Sequence, residues 1–165
     1  MSGHKNLVIL RCGRTSLHPH WLAGERNWDF ALCPYEEIPG DPASILPPGV
    51  IEGQKWSGLY QLLSTWRGWR TYDYIWLPDD DLLADAETIN RLFTLSAEFN
   101  ANIAAPALSE DSHFSHPISM KYVFSAARAV TFIEIMMPCF KREILEQLLP
   151  VIGESNCDFA DHGIL

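Results

Sequence analysis

Tyr74-Ile75-Trp76-Leu77-Pro78-Asp79-Asp80-Asp81 decides how this chain is read. An apolar run meets a proline and then three adjacent carboxylates. The run is short and ends at a breaker, so residues 72–77 read as a buried strand that stops at Pro78. In open α/β sheets, ligands bind outside the carboxyl ends of the strands, and this strand delivers its acids there. Three neighbouring negative charges repel one another, and folding gains nothing obvious from placing them together. A divalent cation removes that cost, since Mg²⁺ and Mn²⁺ take oxygen ligands and bridge carboxylates to phosphates. In extended backbone, Asp79 and Asp81 point to one side and Asp80 to the other. The first two are therefore expected to share a metal and the middle one to do something else. The other reading is a solvated turn in which Asp81 or Asp85 caps the next helix. A calcium EF-hand is excluded: counting from Asp79, the sixth position is Ala84, where Gly is required, and the twelfth is Asn90, where Glu is required.

Working outward, residues 6–12 form an apolar run stopped by Gly13, which reads as a buried parallel strand. A short helix with Trp21 and Leu22 inward is expected within 16–24, and a second strand over 28–35. Residues 36–53, with four prolines and three glycines, read as a long loop, either functional or mobile. Trp56, Leu59, Tyr60, Leu63 and Trp66 recur at helical spacing over 54–66, and Gly68 is expected to end that helix. The clearest helix spans 84–100, with Ile89, Leu92, Phe93, Ser96 and Phe99 on one face. Residues 103–108 read as a fourth strand and 109–121 as a loop. The β-branched run Val130-Thr131-Phe132-Ile133 favours one or two strands within 123–140. A short helix over 141–149 is expected to close at Pro150. Alternating strands and helices predict an α/β three-layer sandwich with a mainly parallel mixed sheet.

The chain has 165 residues, 47% apolar and 20% charged, which fits one globular domain over 1–165 and excludes a disordered chain. Twelve basic against 21 acidic residues give a net charge of −9. Nucleic acid and anionic membranes would repel such a chain, so an anion must be held locally, by a metal ion or a few placed Arg and Lys. No run approaches the ~20 apolar residues of a membrane span, so no integral membrane segment is expected. The apolar run after Met1-Ser2-Gly3-His4-Lys5-Asn6 is too short for a signal-peptide core, which predicts a cytoplasmic protein. Cys12, Cys33, Cys139 and Cys157 form no C-x-x-C pair and read as reduced, mostly buried thiols. The ending Gly163-Ile164-Leu165 is apolar, as if the chain were cut within an element or the natural protein continued.

A strand ending in D-x-D after two βα units resembles the nucleotide-sugar-dependent glycosyltransferases of GT-A type. Four stretches, LVILRCGRTSLHPHWL, KWSGLYQLL, YDYIWLPDDDLL and FIEIMMPCFKRE, resemble more closely an uncharacterised glycosyltransferase-like family, domain of unknown function 707. The resemblance implies a GT-A-like fold with a nucleotide-sugar donor half over 1–108 and an acceptor half over 109–165. It implies that Asp79 or Asp80 contacts the ribose or sugar and that Asp81 holds Mn²⁺ or Mg²⁺ against the donor diphosphate. It also matches Asp161 to a catalytic base and His162 to a further metal ligand, against the alternative of an ordinary polar tail. In the family, the region like 157–165 is followed by an acidic residue and more chain, which this sequence lacks.

Other residues would complete such a site. Arg11 and Arg14 flank the end of the first strand, where a diphosphate would pass; the alternative is surface ion pairing with the excess acid. Lys55 opens a helix after Gly53, where backbone N–H groups favour anions, or is a solvated first-turn lysine. Glu134 lies inside an apolar run, where a lone carboxylate is expensive unless it faces a cleft. It is a candidate base for an acceptor hydroxyl, or a strand residue on the wet face of the sheet. The six tryptophans default to core packing over sugar stacking.

The expected activity is metal-dependent transfer of a sugar from a nucleoside diphosphate donor to a carbohydrate or other hydroxyl acceptor. One rival is a haloacid-dehalogenase-like or other metal-dependent phosphohydrolase. That class wants its D-x-D on the first strand and Thr or Val two residues after the second Asp, a place held here by Leu83. The non-enzyme rival is a sugar- or nucleotide-binding module.

Overall fold

A computed structural model describes residues 4–154. The strands are β1 (Asn6–Cys12), β2 (Trp28–Pro34), β3 (Tyr74–Trp76), β4 (Ile103–Ala104) and β5 (Cys139–Lys141). The helices are α1 (Lys55–Thr65), α2 (Ala86–Glu98) and α3 (Arg142–Glu154), with short 3-10 turns at His18–Leu22, Arg67–Thr71 and Pro117–Ser119. One sheet runs β2-β1-β3-β5-β4; β2, β1 and β3 are parallel, and β5 is antiparallel to both β3 and β4.

Both faces of this sheet are covered, which explains why β1 is apolar at nearly every position. Val8, Leu10 and Cys12 pack with Trp21, Trp76, Ile89 and Phe93, under the first 3-10 turn and α2. Leu7 and Ile9 pack on the other side with Leu59, Leu63, Leu145 and Leu149, under α1 and α3. The α/β class and the three layers follow. Trp21, Trp28, Trp69 and Trp76 are fully buried core residues. Cys12, Cys33 and Cys139 are buried free thiols, and burial pushes Cys12 and Cys139 up to about 12. Cys157 lies outside the described residues. Among the described residues, no helix is long and apolar enough to cross a membrane.

Four sequence expectations are corrected. The fourth strand is only Ile103–Ala104, because Pro106 has no N–H to offer a ladder; Leu108 makes an isolated bridge to Met120. Residues 123–138 are irregular, and the strand there is confined to Cys139–Lys141. The β-branched run pairs with no strand among the described residues, and the place beside β3 is taken by β5. α2 stops at Glu98, leaving Phe99 61% exposed instead of inward. Asn100 turns left-handed at φ 47°, and the N–H groups of Asn100 and Ala101 close the helix on the carbonyls of Ala97 and Ser96. Finally, α3 runs through Pro150 to Glu154, with Leu145 and Leu149 buried and Ile152 packed beside them. Tertiary burial of that face outweighs the lost backbone bond.

Candidate functional site

The chain leaves β1 toward β2 on one side and later returns to place β3 on the other. The strand order therefore reverses between β1 and β3, and a crevice opens beyond their carboxyl ends. A cleft of about 350 Å³ lies there, lined by Arg11, Tyr35, Gly53, Gln54, Lys55, Asp79, Asp80 and Asp81. All three acids reach it, each held differently.

Asp79 Oδ1 lies 2.6 Å from Lys55 Nζ. The same ammonium donates to the carbonyls of Ile135 and Met136, both at 2.8 Å, so its three protons are fully engaged. The Asp79 N–H donates to the Met136 carbonyl at 2.7 Å, which ties the tip of β3 to residues 135–136. Burial pushes Asp79 above the usual carboxylate range against the pull of Lys55, and pushes Lys55 down against the pull of Asp79. Asp80 turns the other way. Its Oδ2 accepts from the Gly13 N–H at 2.8 Å and from the Tyr35 hydroxyl at 3.3 Å, across the crevice from β3 to β1 and β2. Its carbonyl accepts from the Leu17 N–H at 2.7 Å. Burial, reinforced by Asp80, holds the Tyr35 hydroxyl protonated and donating. Asp81 is exposed, and among the described residues its carboxylate makes no hydrogen bond or ion pair. The helix cap weighed for this region falls to Asp85, whose Oδ1 accepts from the Thr88 N–H at 2.8 Å.

The arginines differ from expectation. Arg11 is only 3% exposed and has no carboxylate partner among the described residues. Its guanidinium donates to the carbonyls of Cys33, Pro34, Ile51 and Gly53. It is thus neither a surface ion pair nor a free phosphate ligand; it fastens the 36–53 loop to the sheet and so fixes the start of α1. Gly53 makes the final turn with φ +104°, a conformation that favours glycine. Arg14 is exposed and pairs with Glu36 at 3.4 Å, the surface ion pair weighed as its alternative.

Glu134 is half-buried on an irregular segment, accepts from the Ser119 hydroxyl at 3.3 Å, and does not line the cleft. The wet-face strand position weighed for it is not found, since the strand begins at Cys139. Asp161 and His162 lie outside the described residues. Sequence reasoning missed Tyr35, Gly13 and the carbonyls of Ile135 and Met136. The first two were accessible in principle. Parallel register sets Cys12 beside Pro34, so Gly13 and Tyr35 must emerge together at the ligand edge.

Among the described residues, no three His, Cys, Asp or Glu side chains converge as a metal cage. Among the described residues, Asp81 and the second oxygens of Asp79 and Asp80 make no protein hydrogen bond beside the cleft. Two or three carboxylate oxygens supplemented by water and substrate phosphate are an ordinary Mg²⁺ or Mn²⁺ environment, so the residues fit such an ion. No family model matches the chain, and neither the curated proteins nor the solved structures contain a match.

Proposed function

We propose that this chain is a metal-dependent glycosyltransferase that moves a sugar from a nucleoside diphosphate donor to a hydroxyl acceptor. One observation carries the reading: Asp79, Asp80 and Asp81 face a single cleft at the point where the strand order reverses, together with Lys55. The resemblance of the sequence to GT-A enzymes supports it. Asp81 and Asp80 would hold Mn²⁺ or Mg²⁺, which when bound supplies Lewis-acid assistance to the departing diphosphate. Asp80 is fixed through one oxygen by Gly13 and Tyr35, and Lys55 keeps Asp79 in place. Asp161 is assigned the base role by the resemblance; Glu134, bonded to Ser119 and outside the cleft lining, is not. A cytoplasmic site of action belongs to the same proposal.

The test is incubation with UDP- and GDP-sugars and Mn²⁺, following release of the nucleoside diphosphate. Release that needs Mn²⁺ and is lost in Asp81→Ala is the expected result. Turnover of a generic aryl phosphate without donor cleavage would establish the hydrolase instead. Tight sugar binding with neither reaction would establish the binding module.

A further inference from the structure

The turn at residues 122–125 presents apolar side chains to water. The Ser125 N–H donates to the Tyr122 carbonyl at 3.4 Å, which puts Val123 and Phe124 at the two corners. Turn corners ordinarily hold Gly, Asn, Asp, Pro or Ser. Here they hold a valine 69% exposed and a phenylalanine 84% exposed. The exposed Tyr122 stands beside them, its ring 5.5 Å from that of Phe124. The tip is held from behind. The Lys121 N–H donates to the Leu108 carbonyl at 2.8 Å, and Arg128 donates to the carbonyls of Ile118 and Met120 while lying 5.8 Å over the Tyr122 ring. Charge is uneven in the same region. Residues 112–133 contain no Asp or Glu, and Lys121 and Arg128 give them a formal charge of +2 in a chain whose total is −9. Neither cation forms an ion pair among the described residues.

We propose that this tip is a peripheral membrane contact. Val123 and Phe124 enter the boundary between headgroups and acyl chains of a lipid bilayer, and Lys121 and Arg128 meet the headgroup phosphates. A stable protein interface draws on about 20–30 residues a side. What projects here is three consecutive side chains at one turn. A bilayer accepts such a tip, since aromatic rings are favoured at the level of the headgroups. Irregular backbone cannot enter hydrocarbon with its polar groups unpaired, so the tip dips into the surface and does not span it. The acid elsewhere in the chain repels anionic lipid and confines contact to this side of the molecule. The inference does not depend on sugar transfer.

The test is co-sedimentation of the full chain with vesicles of phosphatidylcholine, alone or with about 30% phosphatidylserine. The wild type is expected to bind the mixed vesicles about fivefold or more tighter than phosphatidylcholine alone. Val123→Ser combined with Phe124→Ser is expected to lose about tenfold or more on both, whereas Phe124→Trp retains binding. Lys121→Gln should lose about fivefold on the mixed vesicles and nothing on phosphatidylcholine. These side chains stand in water, so the variants keep the stability of the wild type; circular dichroism checks this and separates lost binding from lost folding. The inference is overturned if the wild type sediments with neither vesicle, or if the serine pair binds as well as the wild type. Concentration-dependent dimerisation in sedimentation velocity, seen without lipid and lost in the serine pair, would assign the tip to a second copy of the chain and overturn it as well.

Discussion

Gly58 sits in the middle of α1 against the flat of the Arg11 guanidinium, and a Cβ built there would lie 2.7 Å from Arg11 Nε. Replacing a helix-interior Gly by Ala normally gains about 1 kcal/mol. Here the guanidinium cannot retreat without giving up the carbonyls of Cys33, Pro34, Ile51 and Gly53. Gly58→Ala is therefore expected to lose about 1–3 kcal/mol in urea denaturation, and to lose little or nothing when Arg11 is also Ala. A second residue-scale prediction concerns His18. It is buried, 2.8 Å from Ser16 Oγ and 3.5 Å from Asp41, and burial pushes its imidazole below its ordinary 6.5 although Asp41 and Asp80 pull upward. From 6.5 downward the unfolded chain takes up a proton that the folded one resists, so stability present above that value falls as pH drops. Denaturation midpoints between about pH 5 and 8 should fall toward acid in the wild type and flatten in His18→Asn.

At the scale of elements, the helix cap at Asp85 offers a clean separation of fold from site. The Thr88 N–H holds its carboxyl below the usual carboxylate range, so the cap's contribution is full above that range and is lost as pH falls through the lowered value. Asp85→Ala should lower Tm near neutral pH, with the difference from wild type vanishing in strong acid, and leave nucleotide binding unchanged. The elements that sequence reading recovered share one property: their pattern is set by burial on a sheet. β1 shows it by two-sided apolarity, α1 by Leu59 and Leu63, and α2 by Ile89, Leu92 and Phe93. The elements it missed were decided by neighbours invisible in the local string. Val130 and Ile133 look like strand residues, yet β3 already has β5 beside it. The same holds for the site. The ligand edge was legible from the Pro78 stop and the acids; which oxygen each acid offers was not, because Lys55, Gly13 and Tyr35 reach them from other elements. Val123, 69% exposed within the irregular segment, separates the two descriptions. Val123→Ser should change stability by no more than about 0.5 kcal/mol, where a buried strand position would cost several times that.

At the scale of the molecule, a chain of net charge −9 attracts no polyanion over most of its surface, yet the reversal of strand order between β1 and β3 gathers three acids and Lys55 in one cleft. On the proposed function, a bound cation offsets at the cleft the long-range field that repels phosphate. Affinity for a nucleoside diphosphate should then depend on the metal far more than on ionic strength, because the contact is at close range and salt screens the distant charges first. The most direct measurement is isothermal titration of UDP and GDP into the wild type and Asp81→Ala, each with and without Mn²⁺. The account predicts that Mn²⁺ tightens one of the two nucleotides by about tenfold or more in the wild type and leaves Asp81→Ala unaffected. Equal affinity with and without the ion, or undiminished enhancement in Asp81→Ala, would contradict it.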